Sequence, residues 1–354
     1  MGVIDWIILA VSVLIFGASG LTVLYNVFFG LGKTNLNNKY IWGLNIQGFF
    51  VLSSIGSGIL AVLSIAVIFQ ELLAFSLYRF QLAATIAFAC LLSAQMLMGA
   101  DLGRPFRALK IISGKNFISP LTLDFISLVI LTILSFVFMF GIFMNIPEVM
   151  RLWAFATLFF TLFCMLVHVL LFVMHLSGSR IKSFDALITV ANGIWSGTAV
   201  MSLLTLNDSN HHVFFNSFLV LTLLIFVSQI GSIISAFLAE QKPHNLIFTG
   251  ISFIILVFLL GHGIIFREIL ILEIAICLLA IVALFIEKFE MVIGFQREPV
   301  LPPPYSMYEQ PKPYRPSFFE IGNLIAALSF TVVVTYGVLI IRVYLLPFII
   351  GLFT

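Results

Sequence analysis

Long apolar runs alternate with short polar seams along the whole chain. Ten runs approach the roughly 20 mostly apolar residues that a spanning helix needs. They cover about 4–30, 43–69, 77–100, 120–145, 151–175, 185–206, 212–239, 245–266, 268–290 and 318–346. Their Gly, Ala and Ser interruptions lack the two-residue alternation of a barrel strand. A helix also pairs its backbone polar groups within one segment, as lipid demands. The pattern predicts an all-α polytopic membrane protein with about ten transmembrane helices. The seams near Pro147, His211, Pro243 and Arg267 are the weakest boundaries, and 245–290 also reads as one broken segment, which gives nine spans. The stretch 291–317 carries Pro299, Pro302, Pro303, Pro304, Pro311, Pro313 and Pro316. So many prolines cannot continue a helix; the stretch reads as an extended strap on one membrane face or as a plain linker.

Composition agrees with this pattern. Hydrophobic residues make up 62 % of the 354 and charged residues 9 %, against about half and about a quarter in soluble domains. That excludes a soluble globular enzyme, a disordered tail and a fibrous chain. A net charge of +2 argues against a nucleic-acid partner, which needs a basic face. Cys90, Cys164 and Cys277 lie in separate apolar runs, so their spacing gives no disulfide framework and no metal motif. The first run begins at Asp5 without a basic leader and reads as a retained helix. With ten spans, the loops after runs 1, 3, 5, 7 and 9 and the adjoining helix ends hold every Lys and Arg except Arg79, Arg151, Arg267 and Arg342. The positive-inside rule puts this basic side in the cytoplasm and both termini outside.

Polar residues inside apolar runs are costly and mark function or interhelical bonding. Asn45 and Gln47 open the second run, Gln95 lies in the last third of the third, and Asp101 and Arg104 end it. Asp124 lies in the first turns of the fourth run. His168 and His175 occupy the last turns of the fifth, and Asn192 lies two turns into the sixth. Because direction alternates, all of these fall toward the basic side, which suggests a shared pocket. Each also has a structural reading. Asp101 and Arg104 can pair across a helix end, and Asp124 suits a helix N-terminus. His168, Asn45 and Asn192 can serve as interhelical hydrogen bonders. Glu273, toward the other side, is a candidate proton relay. Small residues at Gly56, Ser57 and Gly58 and at Ser196 and Gly197 permit close packing, and Ile55, Ser57 and Gly58 match Ile194, Ser196 and Gly197 at one offset. That hints at two parallel four-helix repeats. The resulting organisation is an N-terminal helix and loop (1–42), two four-helix bundles (43–175 and 176–290), the strap (291–317) and a C-terminal helix (318–354).

The segment Asp101-Leu102-Gly103-Arg104-Pro105 resembles the D-L-G-R-P signature of the NrfD/PsrC family, the quinone-reactive membrane subunits of respiratory oxidoreductases. Other elements follow in the family's order. Trp42-Gly43 opens a helix that reaches Ser57-Gly58. Ser119-Pro120-Leu121 with Asp124 resembles S-P-L-x-W-D, with Leu123 in the Trp position. His168-Val169 resembles H-T-V, with Val for Thr, and Glu287-Lys288-Phe289 resembles W-x-E-R-F, with Lys for Arg. Tyr314, Pro316, Ser317 and Glu320 resemble Y-x-P-S-x-x-E. The likeness covers about 40–325, and the extra helix at each end resembles the ten-helix, HybB/QrcD/DsrP/ActC-like branch.

The resemblance implies two four-helix bundles in a prokaryotic cytoplasmic membrane, with no haem or metal in this chain. It implies a quinone (menaquinone or ubiquinone) and a ferredoxin-like iron–sulfur partner over the quinone pocket. A catalytic or cytochrome subunit would complete the assembly. Asn45 matches a polar quinone-pocket position, and Phe49 stands where some members carry a histidine. Gln47 and Gln95 join them as candidate quinone contacts, while Asp101 and Arg104 match the signature itself. Asp124 and His168 match positions proposed for quinol protonation. Many relatives dock the iron–sulfur partner on the outer face, whereas the charge count puts this pocket toward the cytoplasm. Quinol oxidation releases two electrons and two protons. Asn or Gln can bind the carbonyls, His168 and Asp124 can accept protons, and Glu273, His175 and Asn192 are candidates for a coupled proton path. Rival readings are a secondary transporter built from parallel repeats, a haem b anchor using two of His168, His175 and His262, and a purely structural anchor.

Overall fold

A computed structural model describes residues 2–36, 40–69, 76–103, 119–142, 146–175, 183–206, 211–238, 246–264, 270–294, 296 and 314–345; side chains at 172–175, 183–186, 263–264 and 344–345 are excepted. Among them are ten α-helices and no strand. These are α1 (Val3–Phe29), α2 (Leu44–Ile68), α3 (Leu77–Leu102), α4 (Pro120–Phe140), α5 (Pro147–His175), α6 (Ser183–Leu204), α7 (His211–Leu238), α8 (Leu246–Ile264), α9 (Leu270–Phe289) and α10 (Phe318–Ile340). Single π-turns, Glu290–Gly294 and Ile341–Leu345, extend α9 and α10. Nine helices are long and apolar enough to cross a membrane, and the apolar part of α8, Leu246–His262, is shorter. The chain is therefore a polytopic, membrane-type helical protein. α8 and α9 pack side by side, so 245–290 is two helices, not one broken span.

Local chemistry sets several helix ends. The Ser119 hydroxyl accepts from the Thr122 N–H at 3.3 Å, and Pro120 occupies the first turn of α4, where a missing N–H costs nothing. Pro147 likewise starts α5, four residues before the expected boundary. Gly103 (φ 62°) and Gly141 (φ 64°) end α3 and α4 in the left-handed conformation that glycine adopts without strain. Ser317 and Glu320 form a capping box at the start of α10.

Packing closes two rings. In the first, α2 packs on α3, α3 on α4, α4 on α5 and α5 on α2. In the second, α6 through α9 close in the same order. α1 and α10 pack on each other and on α3. The rings meet chiefly where α2 crosses α6. There a Cβ at Gly58 would stand 2.7 Å from the Gly193 carbonyl carbon and 3.0 Å from the Gly197 nitrogen, so only glycine lets the backbones touch. The Ser196 hydroxyl also donates to the Ser54 carbonyl at 3.4 Å. The two segments matched by sequence offset thus face each other. α2 is the central column, with nearly every side chain buried. By contrast, Val3, Ile4 and Leu14 on α1 are more than two-thirds exposed. So large an apolar exterior is unusual for a soluble monomer and suits lipid.

Candidate functional site

The start of α4 meets the end of α5 within the first ring, and this brings Asp124 to His168. The His168 Nε2 lies 3.0 Å from the Asp124 Oδ1. Asp124 is fully buried and His168 is 2 % exposed. Beyond the imidazole, neither Asp124 oxygen finds a hydrogen-bond donor among the described residues. Ser119 takes the capping role at α4, so Asp124 is not needed there. Cys164, one turn before His168, places its Sγ 3.8 Å from the same Nε2. From α2, Phe49 and Phe50 stand edge-to-face on the imidazole, with ring centroids at 5.8 and 5.0 Å. An acid and a base therefore share an apolar, aromatic-walled interior, where losing one partner of a charged pair costs about 3–5 kcal/mol.

The other expected pocket residues sort into separate contacts. Asn45 belongs to a four-helix ladder. The Thr22 hydroxyl donates to the Asn323 Oδ1 (2.8 Å), the Asn323 Nδ2 to the Asn45 Oδ1 (3.2 Å), and the Asn45 Nδ2 to the Asp101 Oδ1 (3.5 Å). Asn45 and Asp101 thus tie α2 and α3 to the peripheral helices. Gln95 reaches α4, donating to the Thr132 hydroxyl at 2.7 Å. Gln47 donates to the Phe285 carbonyl of α9 at 2.9 Å, and its buried Oε1 has no donor among the described residues. Asn192 is fully buried, with both amide atoms unpartnered among the described residues. Arg104 and the side chain of His175 lie outside the described residues.

Glu273 sits in a cluster that sequence reading did not assemble. His211 from the start of α7 and His262 from the end of α8 place their Nε2 atoms 3.2 and 2.8 Å from its two carboxylate oxygens. All three lie on helix ends at the face opposite Asp124 and His168, as the alternation of helix direction allowed. Lys288 and Glu287, part of the motif Glu287-Lys288-Phe289, are a buried pair at 3.0 Å near the end of α9. Cys164 was also missed; its i, i+4 spacing to His168 was the available signal.

The basic-side end of α2 is clamped from both ends of the strap. The Gln296 Oε1 accepts from Ile41 and Trp42 N–H groups (2.7 and 3.1 Å), and its Nε2 donates to the Trp42 carbonyl (2.8 Å). The Tyr314 hydroxyl accepts from the Leu44 N–H at 2.9 Å and donates to the Glu320 carboxylate. Burial first, and the Glu320 carboxylate second, push the Tyr314 phenol above its ordinary range. The stretch 297–313 between these anchors lies outside the described residues. No family model and no curated protein matches the chain.

Proposed function

We propose that the chain is the quinone/quinol-binding membrane subunit of a respiratory oxidoreductase, similar to the NrfD/PsrC family, and that it exchanges electrons with an iron–sulfur partner. The observation that carries this reading is the buried contact between His168 and Asp124, walled by Phe49 and Phe50. An apolar aromatic wall suits a quinone ring. Imidazole is the side chain that exchanges protons near neutral pH, and a neighbouring carboxylate orients it and shares the proton. A bound quinol supplies electrons and protons; here the His168–Asp124 pair is the proton acceptor, holding the proton between the imidazole Nε2 and the carboxylate. The motif order from Asp101 to Glu320 is the second support, and it extends the proposal to the iron–sulfur partner.

The Glu273–His211–His262 cluster favours one rival reading. Protonatable clusters toward opposite faces of two parallel rings suit a proton-coupled transporter. Gentle purification from native membranes, followed by mass spectrometry of the co-purifying proteins and lipids, separates the two. A stoichiometric cysteine-rich iron–sulfur protein together with retained quinone is the expected result. A chain that purifies alone and free of quinone overturns the reading.

A further inference from the structure

Cys164 and His168 are four apart on α5, so they project from one face one turn apart. Asp124 comes to the same point from α4. One ligand atom from each of the three lies within 4.8 Å of the others. All three side chains are buried, and the Asp124 oxygens have no hydrogen-bond donor beyond the imidazole among the described residues. Around a tetrahedral zinc, with Zn–S of about 2.3 Å and Zn–N or Zn–O of about 2.0–2.2 Å, donors stand roughly 3.2–3.6 Å apart. The observed His168–Asp124 and Cys164–His168 spacings of 3.0 and 3.8 Å bracket that range.

From this geometry we infer that Asp124, Cys164 and His168 form a binding site for a zinc-class divalent cation. Donor chemistry selects the ion. Thiolate and imidazole favour zinc-class ions over magnesium or calcium, which take oxygen ligands. Charge favours it as well. A thiolate and a carboxylate neutralise a divalent ion, so the loaded site is neutral inside an apolar bundle. Three protein ligands leave a fourth position open. On binding, the Cys164 S–H bond breaks, its proton and any proton held between His168 and Asp124 leave to solvent, and the thiolate, the Asp124 carboxylate and the His168 Nε2 lone pair bond the ion; no electrons are transferred. The ion displaces any proton shared by His168 and Asp124, so ion and proton compete for the same atoms. This inference goes beyond the quinol reading and does not depend on it.

The test is titration of the full-length chain in detergent with Co²⁺ as the spectroscopic probe, without quinol or partner subunits. The expected result is one Co²⁺ per chain, the intense visible bands of tetrahedral cobalt, a thiolate charge-transfer band, and loss of all of them on adding Zn²⁺. Cys164→Ser loses the charge-transfer band, whereas Cys90→Ser and Cys277→Ser keep it. No stoichiometric binding, or a thiolate band that survives in Cys164→Ser, overturns the assignment. Should Cys164→Ser not fold, Asp124→Asn carries the test. Second-shell changes alone weaken metal sites by about 10–100-fold, so loss of a ligand should weaken Co²⁺ binding by at least about tenfold, and unchanged affinity refutes the site. Because no quinol is present, failure here leaves the quinone reading standing.

Discussion

Gly58→Ala probes the junction between the two rings. The new methyl would meet backbone on α6, standing 2.7 Å from the Gly193 carbonyl carbon and 3.0 Å from the Gly197 nitrogen. The Gly193 carbonyl oxygen is the nearest atom and would be overlapped outright; carbon atoms pack best about 3.5–4.0 Å apart, so the helices must separate by more than about 1 Å. Backbone cannot rotate away as a side-chain tip can, so the strain falls at or above the top of the usual overpacking range of about 1–3 kcal/mol. Alanine's better helix propensity returns about 1 kcal/mol, leaving a net loss of about 2 kcal/mol or more. Gly17→Ala is the matched control. It lies mid-helix on the exposed face of α1, and its new Cβ has nothing within 4 Å. It should be neutral or stabilising by up to about 1 kcal/mol. Equilibrium unfolding of both variants in mixed micelles reads the difference. Equal shifts in the two would refute the claim that backbone contact at Gly58 joins the rings.

Three further outcomes follow from the contacts. His168→Leu strands a buried carboxylate and should cost about 3–5 kcal/mol, whereas the Asp124→Leu/His168→Leu double variant should cost clearly less than the sum of the single changes; an additive cycle contradicts the pair. Asn323→Leu removes the middle of the ladder from Thr22 to Asn45 and should cost about 1–2 kcal/mol in the same unfolding assay. The Tyr314 phenol is raised in the folded state, so its stabilisation is complete below the unfolded value of about 10 and is lost as pH rises through the folded value. Alkaline unfolding above about pH 10 should therefore be steeper in the wild type than in Tyr314→Phe, and identical profiles contradict the assignment.

The fold was legible because lipid writes spans directly into sequence. Each helix is an apolar run, and Ser119 with Pro120 marks the start of α4 by local chemistry alone, whereas the apolar run passes the Gly141 cap of α4 and begins after the Pro147 start of α5, because apolarity does not stop where a helix does. The small residues of the α2–α6 crossing stand out in the sequence as sites of close packing, but nothing local says that the two segments meet each other. Contacts across the bundle were less legible. Thr22 and Asn323 are 301 positions apart, and nothing local announces that the first and last helices pair. Asn45 and Asp101 looked like pocket residues because depth along a helix is readable while rotation about its axis is not. The structure joins them in the ladder, the interhelical role that Asn45 also allowed. For the same reason Glu273 was read alone, although helix direction already put His211 and His262 at its level. Asp124 and His168 share a level by the same rule, and their meeting depends on α4 packing against α5.

Quinol-linked electron transfer by the intact membrane complex tests the central claim most directly, with wild type compared against Asp124→Asn and His168→Gln at matched assembly. General acid–base catalysis contributes typically 10²–10⁴-fold. The account predicts a fall of about that size for His168→Gln and a smaller one for Asp124→Asn, with the quinone still bound. Wild-type rates in both variants would contradict it.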